Sequence, residues 1–133
     1  MSDACQILPV ADRLLLLAVR ADLPKTVAAL LSEGADSNVV MSTGEGYNAL
    51  MLTAWDGKLE NAKILIESGA DVNVKNLHGG TALLIATQKG FTEIVKLLLQ
   101  HGVNPDVADA DGDTPLSLAK QFGHAEIIKL LTQ

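Results

Sequence analysis

The chain has 133 residues, 48 % of them apolar but only 3 % aromatic, with 10 Lys plus Arg against 16 Asp plus Glu and a net charge of −6. This is one domain's length with an aliphatic core, and the acidity (pI near 4.8) argues against nucleic acid or an anionic membrane, since phosphate surfaces require clustered Lys and Arg. Cys5 is the single cysteine, which rules out an internal disulfide and suits a reducing compartment. The N-terminus lacks the basic-then-apolar order of a secretory signal, and the apolar stretch from Leu14 to Val19 falls far short of the roughly 20 residues of a bilayer span. The expectation is a cytoplasmic protein, nuclear as well if the source is eukaryotic.

Along the chain the text repeats. Asn48, Thr81 and Thr114 are 33 residues apart, as are Gly57, Gly90 and Gly123, while Gly34, Gly69 and Gly102 follow at 35 and 33. A fixed period of this size predicts stacked units, none able to bury its apolar face alone. Residues 1–11 read as an N-terminal extension, then four units follow at 12–40, 41–75, 76–108 and 109–133, the last a C-terminal cap. Unit 1 has Asp22 where the others have Gly, and Asp tolerates a left-handed conformation better than most residues. Between units 1 and 2 lies the longest connection, Val39–Tyr47, predicted to form an enlarged loop with glycines for tight turning. Unit 3 shows the pattern clearly: Thr81–Lys89 and Glu93–Gln100 are apolar-periodic helices separated by Gly90. Asn48, Thr81 and Thr114 are suited to N-caps, Pro115 to a first helical position, and Gly90 and Gly123 to the left-handed turn between helices.

Asp111-Gly112-Asp113-Thr114-Pro115-Leu116 followed by Gly123-His124-Ala125-Glu126-Ile127-Ile128 resembles the ankyrin repeat, as does Glu67-Ser68-Gly69-Ala70-Asp71-Val72-Asn73. The resemblance runs over about residues 12–133. It implies an all-α repeat solenoid of stacked helix-turn-helix units with β-hairpin-like fingers, whose concave face of fingers and first helices binds other proteins. The family's Thr-Pro-Leu-His run is incomplete: its His place holds Leu16, Met51, Leu84 and Ser117, which predicts apolar packing in place of a polar network. The resemblance also places Asn38 and Asn73 where ankyrin repeats of animal cells are hydroxylated.

Carried residue by residue, the resemblance puts a partner-binding surface on Arg20 of unit 1, and on Glu45, Tyr47, Trp55, Asp56 and Lys75 of unit 2. Unit 3 contributes Leu77, His78, Gln88 and Lys89; unit 4 contributes Ala110, Asp111, Asp113, Gln121 and Phe122. Tyr47 and Trp55 make unit 2 the expected hot spot, because binding energy concentrates in Trp, Tyr and Arg. The mixed charges, negative toward unit 4, suit a partner with an apolar anchor and a basic patch.

Catalytic and metal chemistry find little support. His78, His101 and His124 fall in loops or at helix ends, and no paired-His, Cys-x-x-Cys or phosphate-loop motif is present. Asp106, Asp109, Asp111 and Asp113 suggest a calcium loop, but from Asp109 the sixth position is Thr114 instead of Gly and the twelfth is Lys120 instead of Glu. The reading is a non-enzymatic adaptor or inhibitor, monomeric alone and needing no metal or cofactor. A self-associating or obligate structural subunit is the alternative.

Overall fold

The computed structural model describes residues 9–41 and 44–133. Eight helices follow one another among these residues: α1 (Val10–Arg20), α2 (Pro24–Ser32), α3 (Ala49–Asp56), α4 (Leu59–Glu67), α5 (Ala82–Lys89), α6 (Thr92–Gln100), α7 (Pro115–Gln121) and α8 (Ala125–Leu131). They form four pairs. First helices contact one another in the series α1, α3, α5, α7, and second helices in the series α2, α4, α6, α8. The chain is thus an all-helical repeat solenoid. α1 begins inside the stretch assigned above to the extension; Met1 to Leu8, with Cys5, lie outside the described residues.

Local chemistry sets the helix boundaries. The side chains of Asn48, Thr81 and Thr114 accept hydrogen bonds from the backbone N–H groups of Met51, Leu84 and Ser117, at 2.8, 3.3 and 3.1 Å. Each satisfies a donor that the first helical turn leaves open. Ser117 returns the bond, its Oγ accepting from the Thr114 N–H at 2.8 Å, so Thr114 and Ser117 close a capping box. Thus Ser117 caps its helix, while Met51 and Leu84, at the same register place, are buried in the core.

The turn inside each pair needs a left-handed residue. Gly57 and Gly90 supply it at φ 73° and 80°, and Asp22 does so at φ 59°, the conformation expected of its place in the repeat. A side chain at Gly57 would meet the Phe91 ring at 2.7 Å, and one at Gly90 would meet the His124 ring at the same distance. Glycine there both permits the turn and admits the next pair's ring.

Two main cores result. Leu15, Ala18, Val19, Val27, Val39, Ala49 and Leu65 cluster where pair 1 meets pair 2. Leu50, Met51, Leu83, Ile94, Val95, Leu98 and Ile127 belong to a larger cluster running from pair 2 to pair 4. Polar bonds repeat alongside. Asn38 Oδ1 accepts from the Asp71 N–H at 2.6 Å and Asn73 Oδ1 from the Asn104 N–H at 2.7 Å, each reaching the next unit's loop.

The loops between pairs carry no strand among the described residues. Val40 and Asn48 form one isolated antiparallel bridge, and Met41 N–H donates to the Tyr47 carbonyl at 2.8 Å. In the next two loops Asn76 N–H donates to Gly80 O and Asp109 N–H to Asp113 O. The fingers are therefore tight turns. Ser42 and Thr43 of the enlarged loop lie outside the described residues.

Candidate functional site

The last turn of each first helix presents two exposed positions. One holds Arg20, Trp55, Gln88 and Gln121 along the stack; the other holds Ala21, Asp56, Lys89 and Phe122. The packed positions of each helix face its neighbours, which leaves these places free of the core. Trp55 remains 46 % exposed and Phe122 45 %.

Around Trp55 the predicted residues of three pairs converge. The Tyr47 ring meets the Trp55 ring edge-on, centroids 6.0 Å apart at 79°. On the other pair's side Lys89 Nζ stands 4.0 Å from the centre of the Trp55 ring, a cation–π contact worth about 0.5–1 kcal/mol at an exposed site. Arg20, Tyr47, Leu52, Trp55 and Asp56 line a cleft of about 220 Å³ between the first two pairs. Partial burial raises the pKa of the Tyr47 hydroxyl above its usual 10.0, and the carboxylate of Glu45 adds to the rise. Tyr47 is therefore a neutral donor, amphipathic and held in place by its neighbour. Leu52, half-buried in this cleft, was not among the sequence-predicted residues; its register place faces the preceding pair, which is visible only once the pairs are stacked.

The finger tips form a second group. Glu45 O accepts from the Leu77 N–H at 2.9 Å and His78 O from the Ala110 N–H at 2.9 Å, so successive fingers are tied backbone to backbone. Glu45 Oε1 lies 3.4 Å from His78 Nε2, an ion pair when the imidazole is protonated. Leu77 is 78 % exposed. Lys75 and Gln121 are exposed.

The acidic finger has a structural account. Asp109 Oδ1 accepts from the N–H groups of Asp111 and Asp113 at 2.9 and 3.0 Å. At the equivalent place Asn76 Oδ1 accepts from His78 and Gly80 at 2.9 and 2.8 Å. An uncharged residue thus performs the same turn. Carboxylate oxygens of Asp109, Asp111 and Asp113 come within 4.8 Å of one another, whereas the Asp106 N–H bonds Asn104 Oδ1 in a separate turn.

The histidines are likewise engaged in the fold. His124 Nε2 lies 3.2 Å from the Gln88 carbonyl and its ring stacks on Phe122 at 6.4 Å and 18°. His101 Nδ1 lies 2.9 Å from the Leu97 carbonyl at the end of α6. Asn38 and Asn73, the places matched to hydroxylation, use their carboxamide oxygens to accept the next loop's N–H groups. A cleft of about 430 Å³, lined by Lys96, Leu99, Gln100, Leu130 and Gln133, contains none of the predicted site residues.

Comparison with known proteins agrees with this architecture. The family described as "Ankyrin repeats (3 copies)" matches residues 4–76 and 50–133. Over 69 residues, 52 % of this chain, the sequence is 42 % identical to the ankyrin repeat and SAM domain-containing protein 6 of Danio rerio, of whose length the match spans 9 %. Ankyrin repeats are generally protein–protein interaction modules without enzymatic activity, and among the described residues no helix is long and apolar enough to cross a membrane. From the recurring caps and turns to the four stacked helix pairs, the chain belongs to the ankyrin-repeat family.

Proposed function

We propose that this chain is a cytoplasmic, non-enzymatic adaptor or inhibitor that grips a partner protein through its finger tips and the last turns of its first helices, with Trp55 and Tyr47 as the hot spot. One observation carries the reading: Trp55, the chain's single Trp, is half exposed yet held by Tyr47, edge-on to its ring, and by Lys89 over the ring. A rigid aromatic anchor loses little conformational freedom on binding, which is what concentrates affinity in such residues. The cleft beside it, with Arg20 and Asp56 at hand, suits a partner that inserts an apolar side chain flanked by hydrogen-bonding groups. Asp111 and Asp113 would meet basic residues further along, chiefly quickening association.

The test is affinity capture from native lysate by wild type and by the Trp55→Ala/Tyr47→Ala variant, after circular dichroism shows equal folding. A hot spot of about 2 kcal/mol or more predicts at least about 30-fold weaker retention of the captured protein. A partner retained equally by both proteins rules out the anchor on pair 2.

A further inference from the structure

The cleft beside Trp55 holds more chemistry than an apolar anchor needs. Arg20 comes to it from the end of α1, and Tyr47, Leu52, Trp55 and Asp56 come from α3 and the residues that lead into it. Leu52, half-buried, supplies an apolar wall beside the Trp55 ring. Three of the five side chains carry hydrogen-bond donors: the Arg20 guanidinium, the Tyr47 hydroxyl and the Trp55 indole N–H. Asp56 supplies a charged acceptor. The ion pairs among the described residues involve neither Arg20 nor Asp56, and both side chains are exposed. Burial and the Glu45 carboxylate account for the raised pKa of Tyr47, with no hydrogen bond among the causes. Its hydroxyl therefore keeps its proton at neutral pH. Lys89 adds a second cation 4.0 Å from the centre of the Trp55 ring.

We propose that this cleft receives the C-terminal residue of a partner protein whose chain ends in a large aliphatic or aromatic side chain. Arg20 takes the terminal carboxylate, to which a planar guanidinium offers two parallel N–H donors. The Tyr47 hydroxyl adds a neutral donor, Asp56 accepts the N–H of the last peptide bond, and the terminal side chain lies against Leu52 and Trp55. Two observations select a chain end over an internal acidic segment. The first is size. A cleft of about 220 Å³ is smaller than the roughly 300–1,000 Å³ of pockets that enclose a whole small ligand. It admits about one residue, and a helix some 10 Å across would lie over it. The second is charge complementarity. A cation, an acceptor and an apolar wall line the same small cleft. The last residue of a chain carries a carboxylate, an N–H and a side chain on one Cα, and so complements all three at once. In an extended internal segment neighbouring side chains point to opposite faces, so an acidic residue and the apolar one beside it do not enter together. This proposal rests on the reading of Trp55 and Tyr47 as the anchor and gives the anchored partner a chemistry.

The test titrates the full chain into N-terminally dye-labelled hexapeptides of mixed sequence, with the last residue fixed in turn as Leu, Ile, Met or Phe. Each is made as the free acid and as the amide. A third set is amidated and places Asp or Glu next to the last residue. Binding is read by fluorescence anisotropy for wild type, Arg20→Gln, Arg20→Lys, Trp55→Ala and Lys63→Gln, each checked for folding by circular dichroism. The free acids of at least one ending should bind, and the amides and the internal acids at least about tenfold more weakly, as the loss of charge-assisted hydrogen bonds requires. Arg20→Gln should bring the acid-over-amide ratio close to one. Arg20→Lys should keep part of it, since the charge remains without the fork, and gives the reading should the Gln variant fail to fold. Lys63→Gln, the same loss of charge on the exposed side of α4, should bind like wild type, and Trp55→Ala should weaken acids and amides alike. Acids and amides bound equally, and both lost in Trp55→Ala, overturn the proposal and leave the anchor standing. An acid preference that survives Arg20→Gln, or tighter binding of the internal acids, also overturns it. If no peptide of any set binds below about 1 mM, the proposal falls, and the lysate capture judges the anchor separately.

Discussion

The junction between pairs 1 and 2 and the two junctions after it solve one packing problem with different chemistry. At the later junctions a glycine turn receives a ring from the next pair, Phe91 on Gly57 and His124 on Gly90, and Ile94 and Ile127 fill the place beneath. At the first junction the turn residue is Asp22, which pairs with Lys58 at 3.6 Å. Asn61 occupies the place of the isoleucines. Its Nδ2 reaches Asp22 Oδ1 at 3.3 Å and the Val19 carbonyl at 3.5 Å, while its Oδ1 is buried without a partner among the described residues. A surface ion pair contributes little, and a half-satisfied buried amide less than the methyl groups it replaces. Pair 1 is therefore expected to be held to the stack more loosely than its neighbours, beside the cleft that Arg20 and Trp55 share. In a quasi-one-dimensional fold such a junction is where local opening begins.

The largest expected effect comes from placing the same truncation at both kinds of junction. Ile94→Ala should cost about 3 kcal/mol, transfer and cavity terms together, read as a lowered urea midpoint. Asn61→Ala, at the equivalent place, should cost about 1 kcal/mol, since it also removes an unsatisfied acceptor. Equal losses would mean that the two junctions are energetically alike and that the polar first junction is no weaker.

A smaller effect, of opposite sign, should follow from making the first junction resemble the others. Asn61→Ile is expected to stabilise the chain by about 1 kcal/mol. It should also slow exchange of the amide hydrogens of α1 and α2 relative to those of α7 and α8, measured by hydrogen exchange. Destabilisation would show that the weak bonds to Asp22 and Val19 outweigh apolar contact.

The smallest effect concerns the phenol beside the first junction. Tyr47 is the chain's single tyrosine, so phenolate absorbance reports it alone, and its titration midpoint should lie above 10.0. A folded pKa raised above the unfolded one means that its stabilisation is complete below the unfolded value and is lost as pH rises through the folded one. Stability should therefore fall faster above about pH 10 than in Tyr47→Phe. Glu45→Gln should lower the midpoint only partly, because burial is the larger cause. A midpoint at or below the usual value would place Tyr47 in open solvent, away from Trp55.

The repeat is legible in local chemistry alone. Short-range chemistry sufficed, because caps at Asn48, Thr81 and Thr114 and left-handed turns at Gly57, Gly90 and Asp22 each act within a few residues. The sequence also singled out Trp55 and Tyr47, since an aromatic at a place outside the apolar stripe stands out in a chain so poor in aromatics. Stacking of the pairs is what brings Tyr47 and Trp55 against Lys89 of the next pair, and folding of the loops is what gives Asp109 its turn and directs Asn38 and Asn73 toward the neighbouring loop. The tertiary structure likewise decided that Leu14, Leu17 and Leu23 are exposed. Within α1, Leu14 and Leu17 match the apolar pattern of any buried face, and Leu23 stands just before α2. Whether a face is buried depends on a neighbour, and contacts between units are set by how the pairs stack.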